Sequence, residues 1–241
     1  MSLPARVATL VVAFLAVVAG GIYVAFAFIG QKPAVEDFRS YAKGGSVDVT
    51  LMTAAQTTVT NKPDWVTYFI QNPSTKQFDH TTYFEVPPNT TVNVTVLGYD
   101  GCTPLRNPLW GQVAGVTGNV ENVSFFNGKT MSASQPLSTF DSWANCSVQH
   151  TFAIPGLGIN VPIASVTTLN ENNNLCGNSP CVAAADAASP HTVIHFSFKT
   201  PSTTGTYRWQ CFVPCGLGYL DGNGGPMATP GYMMGQMEVY S

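Results

Sequence analysis

Val148-Gln-His150-Thr-Phe152-Ala-Ile154-Pro155-Gly-Leu157-Gly158-Ile159-Asn-Val161 and Gly205-Thr-Tyr207-Arg-Trp-Gln-Cys211-Phe-Val-Pro-Cys215-Gly216 are the two most informative stretches of this chain. Each contains a run rich in β-branched and aromatic residues, Val148–Ile154 in the first and Thr206–Cys211 in the second, and such runs favour strands. Similar runs occupy Val47–Thr53, Trp65–Gln71, Thr82–Val86, Thr91–Gly98, Thr192–Lys199 and Gln236–Tyr240. Pro87-Pro88-Asn89 makes a turn between two of them. Short strands separated by long loops, without helical periodicity beyond the first thirty residues, predict an all-β Greek-key sandwich.

Composition agrees. Charged residues make up only 10% of the 241 residues, and the net charge is −3, so no broad basic surface argues for nucleic acid. Val7 to Gly30 is an uncharged run of apolar and small residues, longer than the roughly 20 needed to cross a bilayer. Arg6 on its amino-terminal side predicts a cytoplasmic start and an extracytoplasmic body. The alternative is a cleaved signal peptide, for which Ala25-Phe26-Ala27 would supply the small-x-small site. The organisation expected is a membrane anchor at 1–30, a charged juxtamembrane linker at 31–46, and an extracytoplasmic β-domain at 47–241 with an insertion at about 101–147. Export also suits the even cysteine count and the Asn-x-Ser/Thr triplets at Asn89, Asn93, Asn122 and Asn145.

His150 at a strand end, together with Cys211 and Cys215 four residues apart, forms a soft-metal donor set. Thiolates and imidazole suit copper, and a thioether adds a weak axial contact. The plain alternative is a short-loop disulfide between Cys211 and Cys215 beside an ordinary half-buried histidine. Spacing alone leaves both open.

The first stretch resembles the His-Ser-Phe-x-x-Pro-x-Leu-Gly-x-Lys segment of the cupredoxin-type subunit II of cytochrome oxidases, with Thr151 and Asn160 at its Ser and Lys positions. The second resembles that family's Gly-x-Tyr-x-x-x-Cys-x-x-x-Cys-Gly loop, and Met233-Met-Gly235-Gln-Met-Glu-Val239 is similar to its closing segment. The resemblance implies a cupredoxin-like sandwich whose CuA-like copper site takes His150, Cys211, Cys215 and Met233 as ligands, with the backbone carbonyl of Val213. It implies electron transport in a respiratory chain, at most as an electron-transfer subunit of an oxidase, with oxidase subunits or a c-type cytochrome as partners. Trp209, two residues before Cys211, would lie near a route of electron exit or in the core.

The sequence departs from the family in one decisive place. The second histidine ligand is expected four residues after the second cysteine, and Tyr219 stands there. Tyr219, Met227 or Met234 would have to fill the gap. A phenol binds metal readily only if the metal lowers its pKa from near 10. Three outcomes follow: an altered dinuclear copper site, a mononuclear thiolate site, or no metal with Cys211 and Cys215 oxidised. The functions open are electron transfer through a copper site, a metal-free accessory or structural subunit of a membrane complex, and copper delivery from an under-coordinated site.

Cys176 and Cys181 flank a Gly-Asn-Ser-Pro turn, and Cys102 and Cys146 bracket the insertion, so Cys102–Cys146 and Cys176–Cys181 are the expected disulfides. No nucleophile elbow, zinc-protease or phosphate-loop motif is present.

Overall fold

The computed structural model describes residues 3–25, 34–54, 63, 65–103, 107–140, 147–165, 189–215 and 224–241. The chain divides into two units, Met1–Ala34 and Val35–Ser241. In the first, α1 (Leu3–Val24) is a 22-residue helix with no buried residue. At 1.5 Å per residue it is about 33 Å long, enough for the roughly 30 Å apolar layer of a bilayer. Among the described residues it is the one helix long and apolar enough to cross a membrane.

Among its described residues the second unit contains thirteen strands. In chain order they begin with β1 (Glu36–Asp37), β2 (Ser46–Ala54), β3 (Thr67–Gln71), β4 (Phe78–Asp79), β5 (Tyr83–Val86) and β6 (Thr91–Gly98). Then come β7 (Glu121–Phe126), β8 (Gln135–Leu137), β9 (Val148–Ile154) and β10 (Ile159–Ala164). The last three are β11 (His191–Lys199), β12 (Gly205–Gln210) and β13 (Met234–Val239). One sheet has the order β1-β5-β13-β12-β9-β10 and the other β4-β3-β2-β6-β11-β7-β8. This is the two-sheet β-sandwich expected, and every strand read from the sequence is present with bounds shifted by at most two residues.

Period-two alternation explains which side chains fill the sandwich. In β6, Val92, Val94 and Val96 are buried while Thr91, Asn93 and Thr95 are not, so one face enters the core and the other does not. Facing them are Phe84, Val86, Phe152, Trp209, Met237 and Val239, all buried in the same apolar cluster. Each large side chain removed from water in this way contributes about 1.5–3 kcal/mol. Trp209 is fully buried, its indole N–H donating to the Thr82 carbonyl at 3.0 Å, and its ring meets Tyr68 and Phe152 at 5.0 Å. It is a core tryptophan, the second of the two roles expected for it.

Two segments take their place in the described fold. The linker read at 31–46 is folded into the sandwich from Val35 onward. Glu36–Asp37 pairs in parallel with β5, Phe38 is buried, and Arg39–Tyr41 forms a 3-10 turn rather than continuing the first helix. The charges there mislead because Arg39 pairs locally with Asp37 and Glu85, both at 2.8 Å. The segment at about 101–147 contributes strands to the sandwich. Its β7 and β8 extend the second sheet from β11, while Ala114 bridges to Asn160 alongside β10 and covers the edge of the first sheet. All residues of β9 and β10 are consequently buried, polar ones included.

Candidate metal centre

β9 carries Gln149, His150 and Thr151 into the interior, so each needs a hydrogen-bond partner. Gln149 Oε1 accepts from the Thr53 hydroxyl at 2.8 Å and from the Asp100 backbone N–H at 3.1 Å. Its Nε2 donates to the Ala164 carbonyl at 2.6 Å. Thr151 Oγ1 accepts the Phe212 N–H at 2.8 Å, which ties β9 to the loop after β12. His150 is held at Nε2 by Asp100 Oδ2 at 3.0 Å, leaving Nδ1 turned toward Cys215 Sγ at 3.1 Å.

The two cysteines come from the turn that ends β12. Cys211 closes the strand, its N–H donating to the Met233 carbonyl at 2.8 Å. Pro214 then turns the chain so that Cys215 Sγ reaches 3.0 Å from Cys211 Sγ. The Val213 carbonyl lies between the two sulfurs, 2.8 Å from Cys215 Sγ and 3.5 Å from Cys211 Sγ. Both thiols are free and buried. The ligating atoms of His150, Cys211 and Cys215 all lie within 4.8 Å of one another, the one such group of three among the described residues.

Electrostatics in this pocket are mutual. Burial alone would lower the pKa of His150, but hydrogen bonds to Asp100 and Cys211, reinforced by their charges, raise it to about 9. Burial likewise works against ionising Cys211. Hydrogen bonds from Cys215 and His150, the His150 charge and the Thr151 N–H overcome it and hold the thiol well below its ordinary value. Cys215 moves the other way, pushed up by burial and then by the neighbouring Cys211 and Asp100. The low-pKa sulfur of Cys211 beside His150, with Tyr68 packed on the imidazole, is a preformed place for a cation that displaces the imidazole proton.

The donor set fits a soft or borderline metal. Two sulfurs, one imidazole nitrogen and a carbonyl converge without an exposed carboxylate cage, which suits copper or zinc rather than calcium or magnesium. Of the ligand positions expected, His150, Cys211, Cys215 and the Val213 carbonyl are brought together. Met233 is fully buried beside them and touches the site through its backbone carbonyl. Met227, named only as a gap-filler, places its sulfur 3.3 Å from the Cys215 N–H. Tyr219 falls outside the described residues, as do Cys146, Cys176 and Cys181. Cys102 is disulfide-bonded. His191 and His195 stand apart from the group: His191 is sandwiched between Tyr99 and Phe126, and His195 is exposed against Thr95.

Sequence reasoning missed Asp100 and Gln149. Asp100 ends a strand-like run next to a glycine, where an acidic residue reads as turn chemistry. Gln149 offers only a polar residue inside a strand run adjacent to the histidine, a signal that points inward only when both faces of the strand are covered.

No protein-family model matches the chain, and no curated protein matches it. Among solved structures it is similar to rusticyanin from Thiobacillus ferrooxidans, at 13% identity over 82% of this chain and 79% of that one, with a TM-score of 0.27. Reduced rusticyanin gives 14% identity over 83% and 82%, with a TM-score of 0.25. A substituted rusticyanin gives 12% over 87% and 85%, with a TM-score of 0.31. Rusticyanin is a copper protein. Identity this low transfers no residue role.

Proposed function

We propose that the chain is a membrane-anchored, extracytoplasmic copper protein that carries electrons, related in design to oxidase subunit II. The observation that carries this reading is the buried convergence of His150 Nδ1, Cys211 Sγ and Cys215 Sγ within 4.8 Å. His150, Cys211, Cys215 and the Val213 carbonyl would hold the metal, and copper bound there supplies a one-electron couple. The protein's own part is to fix these donors before the metal arrives. Asp100 sets the imidazole tautomer and angle, the Phe212 to Thr151 bond fixes the cysteine loop, and burial keeps water from the sulfurs. Rigid donors suit electron transfer because little has to rearrange when the charge changes. The helix Leu3–Val24 would tether the domain at the membrane, raising its effective concentration at a membrane-bound oxidase or a c-type cytochrome. Cys102 paired with Cys146, and Cys176 with Cys181, would brace the loops in an oxidising compartment.

A second reading rests on the 3.0 Å approach of Cys211 Sγ to Cys215 Sγ, which also permits oxidation to a disulfide. The protein would then be a metal-free accessory subunit. The deciding experiment is metal analysis with visible and EPR spectra of the detergent-solubilised full chain, produced with copper under mild reduction. Stoichiometric copper with sulfur-to-copper absorption supports electron transfer, and EPR separates one copper from a shared pair. Zinc alone, or a Cys211–Cys215 disulfide found by mass spectrometry without copper, overturns it.

A further inference from the structure

Two methionines, Met227 and Met233, contact the cysteine loop directly among the described residues. Met233 serves the site through its main chain. Its N–H donates to the Pro226 carbonyl at 3.2 Å, and its carbonyl accepts the Cys211 N–H at 2.8 Å, so it staples the cysteine loop to the turn at Gly225–Ala228. Met227 lies on that turn. Gly225 adopts φ +54°, the left-handed region that favours glycine, and the Thr229 hydroxyl donates to the Gly225 carbonyl at 2.8 Å. Pro226 fixes the following φ, and the result is a short, tied turn with Pro226 and Met227 buried.

The Met227 sulfur does not simply fill apolar space. It accepts the backbone N–H of Cys215 at 3.3 Å, which sets it beside the residue whose sulfur lies against His150 Nδ1. A thioether is a weak hydrogen-bond acceptor, and a buried amide paired with one has found no better partner. That sulfur is also the kind of soft donor that completes a thiolate–imidazole copper site at long range.

The geometry points to Met227, carried on the 225–228 turn, as the thioether donor of this centre, with Met233 acting as the backbone staple that holds the turn and the cysteine loop together. The inference rests on the copper reading above. It departs from the resemblance, which implies Met233. The length of the loop between Cys215 and β13 permits the change: it brings a second methionine back to the site ahead of the strand.

The test compares Met227→Leu, Met227→Gln and Met233→Leu in the detergent-solubilised full chain. Three quantities are read: Cu(I) affinity by competition with a chromophoric chelator, the sulfur-to-copper absorption band and EPR hyperfine pattern, and the apo-protein melting temperature. Leucine keeps roughly the volume of methionine while removing the donor. Met227→Leu should weaken Cu(I) binding on the order of tenfold and shift the band. Met227→Gln, which restores a donor atom, should recover much of the affinity with a different spectrum. Met233→Leu should move both metal readouts much less than Met227→Leu does, because a leucine backbone makes the same two hydrogen bonds. The inference is overturned if Met233→Leu moves affinity and spectrum while the Met227 variants, melting like the parent, do not. Copper binding in the parent that is indifferent to both methionines overturns it while leaving the copper reading standing. A parent that binds no copper overturns both.

Discussion

Asp100 Oδ2 lies 3.0 Å from His150 Nε2, joining a half-exposed loop carboxylate to an imidazole that is almost completely buried. This contact fixes which ring nitrogen faces the two cysteines. A histidine ligand whose far nitrogen is held by a carboxylate is oriented and made a better donor, and loss of such a partner costs roughly 10–100-fold in metal affinity. Asp100→Ala should therefore lower copper affinity by about that factor. Asp100→Asn, whose amide oxygen still accepts the Nε2 proton, should lower it less. Chelator competition on the full chain checks both, and equal affinity in all three proteins would show that packing by Tyr68 and Cys215 alone orients the ring.

Gln149 stands behind that contact. Through Oε1 it holds the Asp100 backbone and the Thr53 hydroxyl, and through Nε2 the Ala164 carbonyl, so it joins β2, the loop after β6, and β10. Gly98 makes room for it, since a Cβ there would overlap the Gln149 amide. Gln149→Ala leaves the Asp100 N–H without its partner at about 1–3 kcal/mol and opens a cavity, while the Thr192 hydroxyl still donates to the Ala164 carbonyl and the Thr53 hydroxyl to the Leu97 carbonyl. We expect a loss of roughly 2–4 kcal/mol in thermal or denaturant unfolding. Copper affinity should fall as well, because the Asp100 loop loses its anchor. Gln149→Glu should be as damaging, because burying a second carboxylate is costly.

How far the sequence carried these conclusions follows from the kind of signal each residue emits. Strand runs such as Thr91–Gly98 alternate every second residue because one face meets the core, and that pattern survives any tertiary arrangement. His150, Cys211 and Cys215 were legible because few residue types offer soft donors. Glu36–Asp37 was not, because a two-residue parallel pairing with β5 has no periodicity of its own. Strand β7 was hidden by the Gly- and Asn-rich turns around it, and by Glu121, a buried carboxyl where the pattern expects an apolar residue. The choice between Met227 and Met233 depends on how a loop folds back, which local propensity does not encode.

Gly235 explains one feature of the closing segment in steric terms. A Cβ at that position would overlap the Thr82 carbonyl and side chain, where β13 runs parallel to β5. Thr82 is itself engaged, its hydroxyl donating to the Met234 carbonyl at 2.7 Å and its carbonyl accepting the Trp209 indole. Because the clash involves backbone, a flexible side chain cannot relieve it. Gly235→Ala should destabilise by roughly 1–3 kcal/mol, the usual cost of overpacking a dense interior. The Trp209 fluorescence maximum should shift to the red as the indole bond loosens. A melting temperature equal to the parent's would show that β5 slides without penalty.

Glu36 and Glu121 give the fold a pH dependence of its own, away from the cysteines. Glu36 is buried and shares the Asn72 amide with Asp79, at 2.8 Å and 3.4 Å. Burial first, then the hydrogen bond and charge of Asp79, raise its pKa from 4.5 to about 7. Glu121 is fully buried, neither carboxyl oxygen has a hydrogen-bond partner among the described residues, and burial pushes its pKa well above the ordinary value. A carboxyl whose folded pKa exceeds its unfolded one binds its proton more tightly when folded, so stability falls as pH rises. For Glu36 this contribution is fully present below pH 4.5 and is lost as pH rises through about 7. For Glu121 the loss begins at the same lower bound and continues to higher pH. Melting temperatures of the full chain in detergent should thus decline between about pH 5 and about pH 8. Glu36→Gln should flatten the lower part of that decline. Glu121→Leu should raise stability at every pH in the range, most at the alkaline end, because an unpaired buried polar group is replaced by an apolar one. A parent that melts at the same temperature throughout would mean that water reaches both carboxyls in solution.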